Sequence, residues 1–408
     1  MNARLVAIAL ALLTALPAMA GTLSPAADHA LQQLLERGRQ THSSAVLVLQ
    51  DGHEIGHYYP RDKAPGPIEL MSVTKSVVAL GIGQLIDQGK IVSLDQPVAD
   101  FYPEWKQGRK QRITVRMLLD HTSGLQNLPT TGPEIYPAPD AVQLALAAEL
   151  TSTPGGSFAY NNKAVNLLAG LVEKASGQPM DVFFRDGLFK AMGIHPGSWA
   201  RDRTGHPYAM AGLSLSAADA AKIGQLLLDD GRWNGQGLVS TDFMKAMLAP
   251  SRAMPTCGLL WWLDPAWIRG SYKSDMVARM RHAGVPVELA GKFAPLQGKA
   301  MQGDREFFAF LQQALGKDAM RVWIDQIVAK IGIGELADRE SGPIIAYHAS
   351  GDQGQYIVVV PQARLVAVRQ IEAQDHPAGN DSYDDFEKQV LALARTLGAR
   401  FPTAPAGH

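Results

Sequence analysis

The chain has 408 residues, 46% of them hydrophobic, and its 38 basic and 39 acidic side chains give a net charge of −1. That length and apolar content suffice for a sizeable core and suggest two domains. Balanced charge without basic runs argues against a nucleic-acid partner or an anionic membrane surface, and leaves a small molecule as the expected substrate.

In chain order, residues 1–20 carry Arg4, the apolar run Leu5 to Leu16 and then Ala18-Met19-Ala20. This is the layout of a signal peptide cleaved after Ala20, with a run too short to span a bilayer. The mature protein is expected outside the cytoplasmic membrane, in a periplasm, with no membrane span. Ala26 to Arg37 places Leu31, Leu34 and Leu35 on one helical face. Ala45 to Gln50 reads as a strand, Asp51-Gly52 as a two-residue hairpin turn, and His53 to Tyr59 as the returning strand. Inside that strand, His53-Glu54-Ile55-Gly56-His57 reproduces the zinc-protease pattern H-E-x-x-H. Zinc chemistry needs both histidines on one helical face; extended, they stand about 13 Å apart, and Gly56 weakens a helix. No metal is assigned there. Cys257, the only cysteine, cannot form an internal disulfide and reads as a small buried apolar residue. No cofactor is implied.

The next segment is the most informative. Ser72-Val73-Thr74-Lys75 lies between Ile68-Glu69-Leu70-Met71 and the apolar stretch Val77 to Ile86. If residues 72–88 are helical, Ser72 stands at the first turn and Lys75 follows on the same face, within reach of its hydroxyl. That spacing pairs a nucleophile with a proton acceptor. Alone it is weak, since such a pair arises by chance about once in a chain of this length. Further along come Leu118-Leu119-Asp120-His121-Thr122-Ser123-Gly124-Leu125, Pro154-Gly155-Gly156-Ser157-Phe158-Ala159-Tyr160-Asn161-Asn162, and Ala349-Ser350-Gly351-Asp352-Gln353-Gly354-Gln355-Tyr356.

Together these landmarks resemble the serine β-lactamase and penicillin-binding-protein superfamily, in the branch of class C β-lactamases and their esterase and peptidase relatives. The resemblance covers about residues 44–260 and 343–397. The family pattern is S-x-x-K, then Y-x-N, then K-T-G or H-x-G on a strand beside the nucleophile. Ser72 and Lys75 match the first, Tyr160 and Asn162 the second, and Ala349-Ser350-Gly351 fills the third in degraded form, with Ala349 where a cation usually stands. His348 is one residue early, and strand alternation should turn it to the other face. The resemblance implies that Ser72 forms an acyl-enzyme, that Lys75 and Tyr160 share the role of general base, and that Asn162 hydrogen-bonds Lys75 and substrate. It also implies that the N–H groups of Ser72 and of Asp352, just after Gly351, receive the oxyanion. His121 to Gly124 is expected to be a turn shaping the wall near the nucleophile.

The implied fold is α+β, of the β-lactamase/transpeptidase type: an antiparallel sheet flanked by helices, from residues 21–110 and 341–400, and a mainly helical domain from residues 111–340. Ala217 to Asp229 and Arg305 to Ile333 read as helical. Residues 264–340 have no counterpart in the compact family core and form either a lid over the pocket or a packing embellishment. The implied function is hydrolysis of an ester or amide bond. A β-lactamase or D-amino-acid peptidase, a non-catalytic binding or scaffold member, and acyl transfer to an alcohol or amine remain alternatives. Loss of the cation at Ala349 tilts the reading toward esterase or amidase.

Overall fold

The computed structural model describes residues 23–127, 132–301, 304–317, 319–376 and 381–405; residues 1–20, read as a signal, lie outside them. The frame is one antiparallel sheet of strands β1 (Ala45–Gln50), β2 (His53–Tyr58), β3 (Trp262–Pro265), β4 (Ile344–Gly351), β5 (Gln355–Val360) and β6 (Leu365–Gln370). Their order is β2-β1-β6-β5-β4-β3, so the first and last parts of the chain meet where β1 pairs with β6. Every residue of β5 and β6 is buried, as expected for strands covered on both faces.

Helices α1 (Pro25–Gln40) and α5 (Phe386–Thr396) cover one face through Leu31, Leu34, Phe386, Val390 and Leu393. On the other face lie α2 (Val73–Asp87) and α4 (Ala217–Leu228), with α3 (Asn162–Ser176) packed behind α2. Residues Val73 to Leu85 are all buried, which fits a helix apolar around its whole circumference. No described helix is long and apolar enough to cross a membrane. The β1–β2 turn has Asp51 and Gly52 both at positive φ, 49° and 77°, as a type I′ hairpin requires. The H-E-x-x-H segment is therefore strand, and His57 Nδ1 is 2.5 Å from Glu54 Oε1.

Two boundaries differ from the sequence reading. Strand β3, from within residues 111–340, joins the sheet as its edge by pairing with β4. Helix α2, from within residues 21–110, shares its core with the helical part, because a helix apolar on all sides must lie between layers. Residues 268–341 form a lobe that leaves the sheet after β3 and returns before β4. A two-stranded ribbon, Ile268–Tyr272 against Ala337–Ser341, closes its base. Met276, Met280, Phe293, Trp323, Ile327 and Leu336 form a separate core within it. The helical pattern of residues 305–333 appears as short pieces: Asp304–Leu315, Ala319–Val322, a π-helical turn Trp323–Val328 and Ala329–Ile331.

Candidate active site

The strand Ile68–Glu69, held against Leu213–Leu215, delivers the chain to a sharp turn at Met71, whose φ is +48°. Ser72 follows as the N-cap of α2, but its side chain makes no capping bond. Leaving a serine cap unused forgoes about 1 kcal/mol and keeps the hydroxyl free to face the cleft. Lys75, three residues on and 2% exposed, places Nζ 2.9 Å from Ser72 Oγ and 2.7 Å from the carbonyl oxygen of Met210. The backbone of Met210 is also held by Asn166 on α3, whose Oδ1 accepts from the Met210 N–H at 3.2 Å.

Electrostatics at this cluster follows from burial. With no carboxylate paired to it among the described residues, the Lys75 ammonium is penalised by desolvation, and its pKa falls well below the ordinary lysine value. Burial pushes the Tyr160 phenol the opposite way, up to about 12, against a hydrogen bond with Ser72 that favours the phenolate. The Tyr160 ring lies 5.1 Å from Lys75 Nζ. His121, at positive φ, lies 4.5 Å from the Tyr160 ring, tilted by 39°, and accepts the N–H of Asn161 on Nδ1 at 3.1 Å. Burial first and Lys75 second lower its pKa to about 3, so it is neutral and fixed in one tautomer. The lowered pKa of Lys75 and His121 and the raised one of Tyr160 all favour the uncharged form of the cluster.

The third side of the cleft is the end of β4. Gly351 comes so close to the start of α2 that a Cβ there would lie 2.5 Å from the Leu70 carbonyl oxygen and 3.0 Å from the Ser72 nitrogen. Only glycine permits that approach. Asp352, Gln353 and Gly354 form a tight turn into β5, with Gln353 at φ +65°. Beneath it Arg369, fully buried, donates from Nη1 to the carbonyl oxygens of Gln353 and Gly354 at 2.6 and 2.7 Å. It also reaches Thr41 O and Ser43 Oγ. Among the described residues no hydrogen bond engages the Ser72 or Asp352 N–H. The enclosed end of the cleft is lined by Lys75, Ser76, His121, Cys257 and Leu260, and Ser72, Tyr160, Trp262 and Ser350 line both ends. The open end, about 300 Å³, adds Gly351 and Asp352. Burial raises the Cys257 thiol to about 12, so it is an inert wall.

The structure brings Ser72, Lys75, Tyr160, Gly351 and Asp352 together around one cleft. Asn162 is corrected in part: it is the half-buried first residue of α3, and the Met210 carbonyl takes the lysine contact assigned to it. His348 does turn away. Ala349 packs into the α2 core, while His348 stands 2.9 Å from Asp264 and 3.8 Å from Glu387 of α5. These carboxylates outweigh burial and raise its pKa. Sequence reasoning missed three contributors. Met210 acts through a backbone carbonyl, which no residue letter reports. Asn166, one helical turn beyond Asn162, holds the same residue by its backbone N–H. Trp262 stacks between Tyr160 and His348, at 6.3 and 6.4 Å; its only signal was Trp261-Trp262 before the inserted lobe.

The β-lactamase family model matches residues 27–284, and the chain belongs to that family. It is similar to 6-aminohexanoate-dimer hydrolase of Paenarthrobacter ureafaciens, 27% identical over 54% of this chain and 60% of that one. It is also similar to esterase EstB of Burkholderia gladioli, 32% identical over 27% and 33% of the two chains. These alignments span between a third and three fifths of the relatives' lengths. Among solved structures, a putative 6-aminohexanoate-dimer hydrolase from Bacillus anthracis superposes with a TM-score of 0.61 at 17% identity, over 90% of this chain and 82% of that one. A penicillin-binding-protein homologue from Caulobacter crescentus gives 0.59 at 15%, over 92% and 99%. The fold is that of β-lactamases and transpeptidases.

Proposed function

We propose that the protein cleaves an ester or amide through an acyl-enzyme on Ser72. The observation that carries this reading is a serine hydroxyl 2.9 Å from a buried lysine whose surroundings favour the neutral amine. Ser72 Oγ attacks the substrate carbonyl carbon and passes its proton to Lys75. The carbonyl electron pair moves to oxygen, which the N–H groups of Ser72 and Asp352 receive. Collapse of the tetrahedral adduct breaks the bond to the leaving group, which takes the proton back from Lys75, with Tyr160 as the adjacent hydroxyl that relays it. Water then enters by the same route, leaving a carboxylic acid and free Ser72. An acceptor alcohol or amine in place of water would give acyl transfer on the same residues.

Ala349, fully buried where a cation stands in the family pattern, favours simple esters and amides over β-lactams and D-amino-acid peptides that carry a carboxylate. The names of the relatives, an esterase and an amide hydrolase, support the same range. On this reading residues 1–20 direct export, and the mature chain begins at Gly21; N-terminal sequencing of the secreted protein checks that. The central test is intact mass after exposure to a fluorophosphonate and, separately, to a penicillin. One adduct on the wild type and none on Ser72→Ala is expected with the fluorophosphonate. No adduct on a folded wild type would favour a non-catalytic role, and a chromogenic cephalosporin turned over faster than short acyl esters would favour a β-lactamase.

A further inference from the structure

The charges around the open end of the cleft are one-sided. Asp352 is the one charged side chain among the described residues lining that end, and it is exposed. Among the described residues it has no hydrogen bond or ion pair. Glu69 lies three residues before the nucleophile, half-buried, accepts a hydrogen bond from the Gly212 backbone and has no cationic partner among the described residues. Tyr136, 49% exposed, stands edge-on to Tyr208 at 5.5 Å. Its phenol pKa is raised by burial first, then by the charge of Glu69, by Tyr208 and by Asp352, so both carboxylates act electrostatically on this ring. The nearby charges acting on Tyr208 are Asp202 and Arg203, of opposite sign. Trp262 supplies a second aromatic wall.

Two carboxylates without counter-ions beside exposed aromatic faces repel an anion and attract a cation, by direct charge and by the negative faces of the rings.

We propose that the substrate carries a cationic group, an alkylammonium on its acyl part, which Asp352 receives together with Glu69 and the rings of Tyr136 and Trp262. The inference rests on acylation of Ser72 and specifies what kind of acyl group is taken. The side chain of Asp352 selects the substrate, while its backbone N–H serves the oxyanion.

The test uses three p-nitrophenyl esters of equal chain length, ending in a trimethylammonium group, in a tert-butyl group as its uncharged isostere, and in a carboxylate. The full-length mature protein should show kcat/KM in that order, with at least about tenfold between the first two, the factor one charge-assisted contact supplies. The preference should shrink as salt is added, because the charges are open to solvent. Asp352→Asn should bring the cation-to-isostere ratio close to one and improve the anionic ester, and Glu69→Gln should lower the ratio part of the way. The ratio is internal to each variant, so a general loss of rate does not disturb it. Hydrolysis of all three at equal rates, or a ratio unmoved by both variants, overturns this inference and leaves the acyl-enzyme standing. Failure of every ester, with no fluorophosphonate adduct on Ser72, overturns the acyl-enzyme and this inference with it.

Discussion

Lys75 and Arg369 are both cationic side chains withdrawn from water, 2% and 0% exposed, on opposite sides of the same strand end. Neither has a carboxylate partner among the described residues. What separates them is the number of acceptors. Arg369 is surrounded by three backbone carbonyls and a serine hydroxyl, at 2.6–3.1 Å. Its pKa falls only to about 10, chiefly through burial, so it stays charged near neutral pH and serves as a fixed clamp. Lys75 has one carbonyl and the Ser72 hydroxyl, and burial wins outright. The same desolvation thus leaves a structural charge where the acceptor shell is complete and favours the neutral amine where it is left short.

Removing the group whose shell is short should have the largest effect on chemistry. Lys75→Met is expected to lower the rate of Ser72 acylation by roughly a hundredfold to ten-thousandfold, the range of one general base, as read by fluorophosphonate adduct formation over time. For the wild type, kcat/KM should rise with pH through the lowered Lys75 pKa, far below the ordinary lysine range. Stability should rise above that lowered pKa and up to the ordinary lysine value. The unfolded chain binds a proton on Lys75 up to about pH 10.4 that the folded chain has already lost, so raising the pH favours the folded state. Lys75→Met should lose that part of the slope. A variant whose denaturant midpoint follows the wild-type pH dependence would show that folded Lys75 is protonated.

Arg369→Met tests the clamp. Losing hydrogen bonds from a charged donor to buried carbonyls costs about 1.5–3 kcal/mol each at most, so a lowered melting temperature is expected. Arg369→Lys, which restores the charge without the planar fork, should recover part of the stability. If the clamp holds the Asp352 N–H toward the oxyanion, Arg369→Lys should also lose kcat by about tenfold with KM little changed. Unchanged kcat in a destabilised Arg369→Lys would confine this arginine to folding.

These two cations also mark how far the sequence could be read. The meeting of Ser72, Lys75, Tyr160 and Gly351 at one cleft was legible because their side chains, or the lack of one, stand at a recognisable spacing. The hairpin at Asp51-Gly52, the strands 355–360 and 365–370 and the helix at 386–396 were legible from turn residues and periodicity. Arg369 was not. It sits in a run of strand residues as one charged letter, and its partners are carbonyls from residues 41, 353 and 354, which only the fold assembles. Met210 escaped for the same reason, and Asn162 was given a contact that a backbone oxygen makes. The β3 edge strand was hidden because it is short and is followed by a long insertion rather than a turn.

That insertion offers the smallest effect and the clearest contrast with the cleft. Its apolar residues from Tyr272 to Ala337 form their own cluster, and among the described residues none from 268–341 lines the cleft beside Ser72. Its two ends are already together: Pro265 stands opposite Ile344 in the β3–β4 ladder, and the Ala266 N–H donates to Pro343 O at 2.9 Å. Replacing residues 267–342 with an Asn-Gly turn therefore continues the existing ladder into a hairpin. The shortened chain should keep the wild-type rate of fluorophosphonate acylation within about twofold, the variation expected of changes that leave buried contacts intact. It should also keep the ranking of the three esters. A changed ranking would show the lobe acting as a lid on the substrate. An unchanged one would assign substrate choice to the residues of the cleft itself, with Asp352 and Glu69 foremost.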